Sequence, residues 1–96
     1  SMSKKDKLLR KFLAKPLKRD LTYTELRTLL ESLGYREIQG QGSRVSFYHE
    51  QLDDMLDLHK PHPGNELKLY QVRLVEQKLH EIIQVLQRKE EGNNNV

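Results

Sequence analysis

The stretch His59–Lys68, HKPHPGNELK, places two histidines among lysines and prolines. Imidazole gives or takes a proton near neutral pH because its ordinary pKa is about 6.5, and a lysine ammonium attracts anions. Such residues support acid–base chemistry beside a bound anion. Proline lacks an N–H and restricts the residue before it, so Pro61 and Pro63 should end a strand and hold His62 in extended backbone.

Three segments around and before this stretch have the alternating pattern of strands. They cover residues 35–39, 44–49 and 55–59 and are separated by a glycine turn and an acidic turn. Consecutive strands joined by short turns form an antiparallel meander. The candidate histidines are therefore expected at the end of the third strand of a three-stranded sheet.

Strand alternation predicts which side chains share each face of this sheet. The covered face should hold Ile38, Val45, Phe47, Leu56 and Leu58. The opposite, open face should hold the alternate residues: Tyr35, Glu37, Gln39, Arg44, Ser46, Tyr48, Met55, Asp57 and His59. The tightest register that keeps both faces consistent sets Arg44 opposite His59. It also sets Ser46 opposite Asp57, so a cation, a histidine and an acid are expected on one open surface.

Two helices are predicted before the strands. Ser3 is a typical N-cap, and Pro16 disfavours helix at the residue before it, so the first helix should end by residue 15. Thr22 and Glu25 have the spacing of a capping box and are followed by an apolar stripe of helical period. Gly34 supplies the C-terminal stop of this second helix.

A third helix is predicted after the strands. Its apolar stripe runs from Val72 to Leu86, and the helix should end near Lys89, before a flexible polar tail at residues 90–96. The order helix, helix, meander, helix predicts an α+β domain. In such a domain the helices cover one face of the antiparallel sheet and leave the other to solvent.

Composition and charge narrow the class of protein. A chain of 96 residues should form one domain with a thin core. Residues 1–20 carry eight of the 17 Lys and Arg with only two Asp, so they form a basic helix and connector before the main domain at residues 21–89. This basic arm is either a solvated helix face or a phosphate contact. The chain has no cysteine and no apolar run of about 20 residues, so we expect no disulfide, no membrane span and a cytoplasmic location.

Several short motifs, in their order and spacing, resemble the HicA toxins of bacterial toxin–antitoxin pairs. The resemblance covers roughly residues 22–85 and rests on Leu33-Gly34-Tyr35, Gly42-Ser43 followed by Phe47, and Pro61-His62-Pro63. It implies a fold like a double-stranded-RNA-binding domain, α-β-β-β-α, to which this chain adds an N-terminal helix. It also implies cleavage of mRNA without a metal or other cofactor, and neutralisation by a HicB-like antitoxin.

One position departs from the pattern of that family. HicA toxins usually carry a histidine, regarded as catalytic, directly after Gly-Ser, whereas this chain has Arg44. Arginine stays protonated and cannot act as a general base, but it recognises phosphate and stabilises negative charge on it. RNA cleavage would then need His59 and His62 as acid and base. The predicted RNA contacts are Ser43, Arg44, Tyr48, Lys60 and Lys68.

Other interpretations of the same residues remain open. Pro61-His62-Pro63 and His59 also fit a simple strand end that binds nothing. With Arg44 as a phosphate contact only, the domain would be a non-catalytic module that binds RNA or a protein partner. Asp57, His59 and His62 have the composition of a two-histidine, one-carboxylate metal site, but their proline-flanked spacing is not a known ligand geometry, so we predict no metal.

Overall fold

The structure, a computed structural model, describes residues 2–94. Its elements in chain order are α1 (Lys4–Leu13), α2 (Tyr23–Ser32), β1 (Arg36–Gln39), β2 (Arg44–His49), β3 (Asp54–His59) and α3 (Leu69–Asn94). The strands form one antiparallel sheet in the order β1-β2-β3. The predicted α+β fold with a meander and an extra N-terminal helix is therefore confirmed. Among the described residues, no helix is both long enough and apolar enough to span a membrane.

The N-terminal helix is part of the core. Ser3 Oγ accepts the backbone N–H of Asp6 at 3.1 Å and so caps α1 as predicted. Leu8 and Phe12, one turn apart, are 6% and 0% exposed. The core that they join has members from both other helices and the sheet: Leu21, Tyr23, Leu26, Leu29, Leu30, Tyr35, Val45, Phe47, Leu67, Val72, Val75, Leu79 and Ile82.

The second helix begins and ends at the residues that its sequence predicts. Thr22 Oγ1 accepts the N–H of Glu25 at 3.2 Å, and Glu25 Oε1 accepts the N–H of Thr22 at 3.1 Å, which completes the capping box. Lys11 Nζ lies 2.9 Å from Glu25 Oε2 and ties α1 to this first turn. The chain leaves α2 through Gly34, whose φ of +103° suits glycine.

The register of β2 with β3 is as predicted, but the parity of β1 is reversed. Arg44 pairs with His59 and Ser46 with Asp57. Ile38, expected in the core, lies opposite Ser46 on the open face and is 41% exposed. Tyr35, expected on the open face, is only 3% exposed.

The reversal in β1 follows from which side chain fills the core. The Tyr35 ring contacts the buried His49 ring edge-on, with centroids 5.0 Å apart, and its hydroxyl donates to Asp54 Oδ2 at 2.6 Å. A buried tyrosine removes more apolar surface from water than an isoleucine. Glu37 then shares the covered side and accepts the hydroxyl of Tyr23, so this carboxylate has a partner there.

The last helix continues beyond its predicted end. It runs from Leu69 to Asn94, whereas the apolar stripe predicted an end near Lys89. Apolar periodicity marks only the part of a helix that packs on a core. Lysine and glutamate have good intrinsic helix propensity, so a helix can continue through residues 89–91 after the apolar stripe has ended. Residues 95–96 of the predicted tail lie outside the described residues.

Asp54 joins β3 to α3 and makes stability depend on pH. Burial alone would raise the pKa of its carboxyl, but hydrogen bonds from Tyr35 and from Lys78 Nζ, 2.9 Å away, outweigh burial and lower it. A carboxyl whose pKa is lowered by folding stabilises the protein above its unfolded-state pKa, and this contribution disappears as pH falls through its folded-state pKa.

We expect Asp54→Asn to lower the free energy of unfolding at pH 7 by about 1–2 kcal/mol, since two hydrogen bonds to a charged acceptor are weakened. Urea unfolding at pH 7 and in the acid range, below the ordinary carboxyl pKa, measures this. The difference between wild type and variant should shrink in acid because Asp54 is then protonated. A difference that is constant over this pH range would contradict the prediction.

Candidate active site

Arg44 and His59 lie together on the open face of the sheet. They are directly paired across β2 and β3, and both side chains are exposed. Ser43 Oγ lies 3.1 Å from His59 Nδ1. Just beyond the strand ends, the N–H of Lys60 donates to the carbonyl of Ser43 at 2.8 Å. The backbone contact holds the two strand ends together, so Ser43 and His59 stay within hydrogen-bond distance.

A hollow of about 350 Å³ adjoins this pair. Its lining includes Gly40, Arg44, Ser46, Asp57 and His59. The volume is in the range of small-ligand sites, and the side chains that line it are mostly polar. Ser46 Oγ donates to Asp57 Oδ1, so this carboxylate already has one donor before any ligand enters.

A buried glutamine fixes the backbone of His59. Gln71 is 5% exposed, and its Nε2 donates to the carbonyl of His59 at 2.8 Å. Its Oε1 accepts the N–H of Lys68 at 2.9 Å. The end of β3 is therefore connected to the start of α3. Gln71 was not among the predicted site residues, although Lys68-x-x-Gln71 has the spacing of an N-terminal cap followed by glutamine at the third helical position.

The other predicted residues of the stretch lie on the loop beyond β3. His62 is exposed between its two prolines, and Lys68 is exposed directly before α3. The ammonium of Lys60 lies 5.8 Å from the centre of the Tyr23 ring. Strand alternation turns Lys60 to the side opposite His59, so the structure does not bring it to the Arg44–His59 pair.

Tyr48 lies on the same open face but at its other end. Tyr48 lies two residues after Ser46 in β2 and is paired with Met55 of β3. Its hydroxyl donates to Asp53 Oδ1 at 3.1 Å. That hydrogen bond raises the pKa of Tyr48. The guanidinium of Arg36 lies 5.8 Å from the centre of the Tyr48 ring. At one end of the open face Arg44 is therefore paired with His59, and at the other end Arg36 lies over the Tyr48 ring.

The arrangement supports proton transfer and anion binding. Hydroxyl, imidazole and guanidinium groups converge at the Arg44 end of the face, and none of them is covered. In the part of the chain that the structure describes, no group of three or more histidine, aspartate and glutamate side chains has the arrangement of a metal site.

Comparison with known protein families identifies a match. A family model described as "HicA toxin of bacterial toxin-antitoxin" matches residues 23–87, which include the whole sheet and most of α3. No curated protein and no solved structure matches the chain. The helix α1 and the connector at residues 14–22 lie outside the matched range.

Proposed function

This chain belongs to the HicA toxins of bacterial toxin–antitoxin systems, and on that premise we propose that it cleaves RNA without a metal ion at the Arg44–His59 end of its open sheet face. The observation that carries the proposal is the 3.1 Å contact between Ser43 Oγ and His59 Nδ1, directly across from Arg44. It supports a role for His59 in proton transfer although the residue after Gly-Ser is arginine.

The Ser43 contact suits a ring that changes its protonation state. A hydroxyl can accept a hydrogen bond from Nδ1–H of His59, and that bond is kept whether the imidazole is neutral or protonated. In this tautomer Nε2 has a free lone pair. His59 is then an oriented general base with Nε2 available to substrate.

In the proposed reaction His59 Nε2 takes the proton of an RNA 2′-hydroxyl. The 2′-oxygen forms a bond to the adjacent phosphorus, the bond from phosphorus to the 5′-oxygen breaks, and a 2′,3′-cyclic phosphate remains. His62, on the neighbouring loop, protonates the leaving 5′-oxygen. Arg44 and Lys68 offset the negative charge that builds up on the phosphate.

The open face also supports binding of a HicB-like antitoxin. Ile38 and Met55 are 41% and 50% exposed there; Ile38 is paired with Ser46 of the site, and Met55 lies towards the Tyr48 end. A partner that covers this face would bury both apolar side chains and block RNA at the same time. We infer that the antitoxin neutralises the toxin by covering the Arg44 end of this face.

The proposal is tested by incubating the purified protein with a long labelled RNA in EDTA from pH 5 to 8, beside the double variant His59→Ala, His62→Ala. We expect bell-shaped cleavage by the wild type, products that end in cyclic phosphate, and no cleavage by the double variant. Intact RNA with retained, salt-dependent binding would show instead that Arg44 belongs to a non-catalytic recognition module. Cleavage that EDTA abolishes would contradict the metal-free reaction.

A further inference from the structure

The first 20 residues present a mostly basic surface, in which eight lysines and arginines outnumber the two exposed acids Asp6 and Asp20. Of their eight cations, Lys11 and Lys15 are paired with Glu25 and Glu76 at 2.9 and 3.0 Å. The other six are exposed, and within the described residues no ion pair involves them. We call these six the N-terminal cationic surface: Lys4, Lys5, Lys7, Arg10, Lys18 and Arg19.

The three lysines at the start of α1 are unfavourable for the isolated helix, although Asp6 in its first turn and Arg10 in its last turn suit the helix dipole. Lys4, Lys5 and Lys7 lie in the first turns of α1, at the positive end of its dipole. Lys7 and Arg10 repel each other at i,i+3 spacing. Residues that lower the stability of the element they lie in are expected mainly where function requires them.

The burial of α1 indicates which partner suits the surface. A basic amphipathic helix can bind a membrane through its apolar face, but the apolar side chains Leu8 and Phe12 are packed in the core. Only the charged face is available. Unpaired lysine and arginine side chains then favour a polyanion that is bound through its phosphates.

A short backbone pairing brings this region to the loop of the candidate site. The N–H of Tyr23 donates to the carbonyl of Asn65 at 2.8 Å, and the N–H of Leu67 donates to the carbonyl of Leu21 at 2.8 Å. The segment at residues 21–23 thus runs antiparallel to the loop that follows His62. This pairing fixes the end of the connector against the loop.

The pairing brings the end of the connector beside a predicted RNA contact, Lys68. Because Leu21 is bonded to Leu67, the residues before Leu21 run past the start of α3, where Lys68 is exposed. Asp20 directly precedes Leu21, and Lys18 and Arg19 come just before it in the connector, so both cations lie within a few residues of the pairing that ends beside Lys68.

We propose that the N-terminal cationic surface is a second RNA-binding site, which holds the phosphates of nucleotides that flank the cleaved bond. It contacts backbone only, so it adds affinity for longer single-stranded RNA without sequence preference. This inference rests on the proposed RNA-cleaving function and concerns residues outside the matched family range. It makes α1 and the connector part of substrate binding as well as of the core.

The test compares two double variants that lose the same charge. Lys18→Gln with Arg19→Gln lies in the proposed surface, whereas Arg27→Gln with Arg88→Gln removes two exposed cations from α2 and α3. Fluorescence anisotropy measures binding of a 20-nucleotide 2′-O-methyl RNA, which cannot be cleaved because it has no free 2′-hydroxyl. Measurements at several salt concentrations give the slope of log K against log salt.

We expect the connector variant to reduce the magnitude of that slope by about 1.4, which is about 0.7 for each of two lost phosphate contacts, and to weaken binding about tenfold at low salt. The control variant should change affinity less than about twofold. An equal change in RNA affinity in both variants would overturn the proposal, since it would reflect net charge alone. Failure of the wild type to bind RNA would instead overturn the proposed function itself.

Discussion

Replacement of His59 by alanine is expected to lower kcat/KM for RNA cleavage by about 10²–10⁴-fold, the usual contribution of a positioned acid or base. His59 is the histidine that the structure orients, through Ser43 Oγ at its Nδ1 and through Gln71 at its carbonyl. The pH–rate profile should also change, because loss of a general base removes the dependence on its deprotonation. His62→Ala should remove the opposite limb of the profile if His62 is the acid.

His80→Ala is the matched control for these variants. His80 is an exposed histidine on α3 whose Nε2 lies 3.0 Å from Glu76 Oε2, outside the candidate site. Its replacement should leave cleavage within about twofold of wild type, because it neither binds nor orients the substrate. Circular dichroism should show all three variants folded. Unchanged cleavage in His59→Ala would remove His59 from the mechanism, and an equal loss in His80→Ala would indicate a general effect on folding.

Gly34→Ala is expected to lower the free energy of unfolding by about 2–5 kcal/mol, from an unfavourable positive φ and an overlap in the core. The backbone φ at Gly34 is +103°, and an added Cβ would lie 2.5 Å from His49 Nε2. The imidazole has little room to move, because Nε2 is 3.1 Å from the carbonyl of Leu33 and Nδ1 accepts the N–H of Leu52 at 3.2 Å. The free energy of unfolding of a small domain is only about 5–15 kcal/mol in total, so this substitution would remove a large share of the stability.

Three further variants separate the backbone strain from the overlap: Gly42→Ala, His49→Ala and the double variant of Gly34 and His49. Gly42 has a φ of +61° with no atom within 4 Å of an added Cβ, so Gly42→Ala should cost only about 1–2 kcal/mol. Combining Gly34→Ala with His49→Ala should cost less than the sum of the two single changes, since the alanine at 49 leaves room for the new methyl group. Chemical denaturation measures all four proteins. Equal costs at Gly34 and Gly42 would contradict the overlap with His49.

The pairing of Arg44 with His59 was predictable from sequence because β2 and β3 each have two apolar residues in strict alternation. Val45 and Phe47 on one strand and Leu56 with Leu58 on the other must face the same core, and a shift by one residue would expose a pair of them. The predicted parity of β1 was wrong. That strand has a single apolar residue, Ile38, so its parity depended on the burial of Tyr35 just before it.

The amino-acid sequence by itself determined the helix caps, the order of the elements, the register of β2 with β3 and the open face that carries Arg44 and His59. These features depend on local propensity and on hydrophobic periodicity, which act over a few neighbouring residues. Only the tertiary structure decided that Ser43 contacts His59, that Gln71 holds its carbonyl and that the connector pairs with the site loop. Such contacts join residues far apart in the chain, and their geometry exists only after the elements have packed.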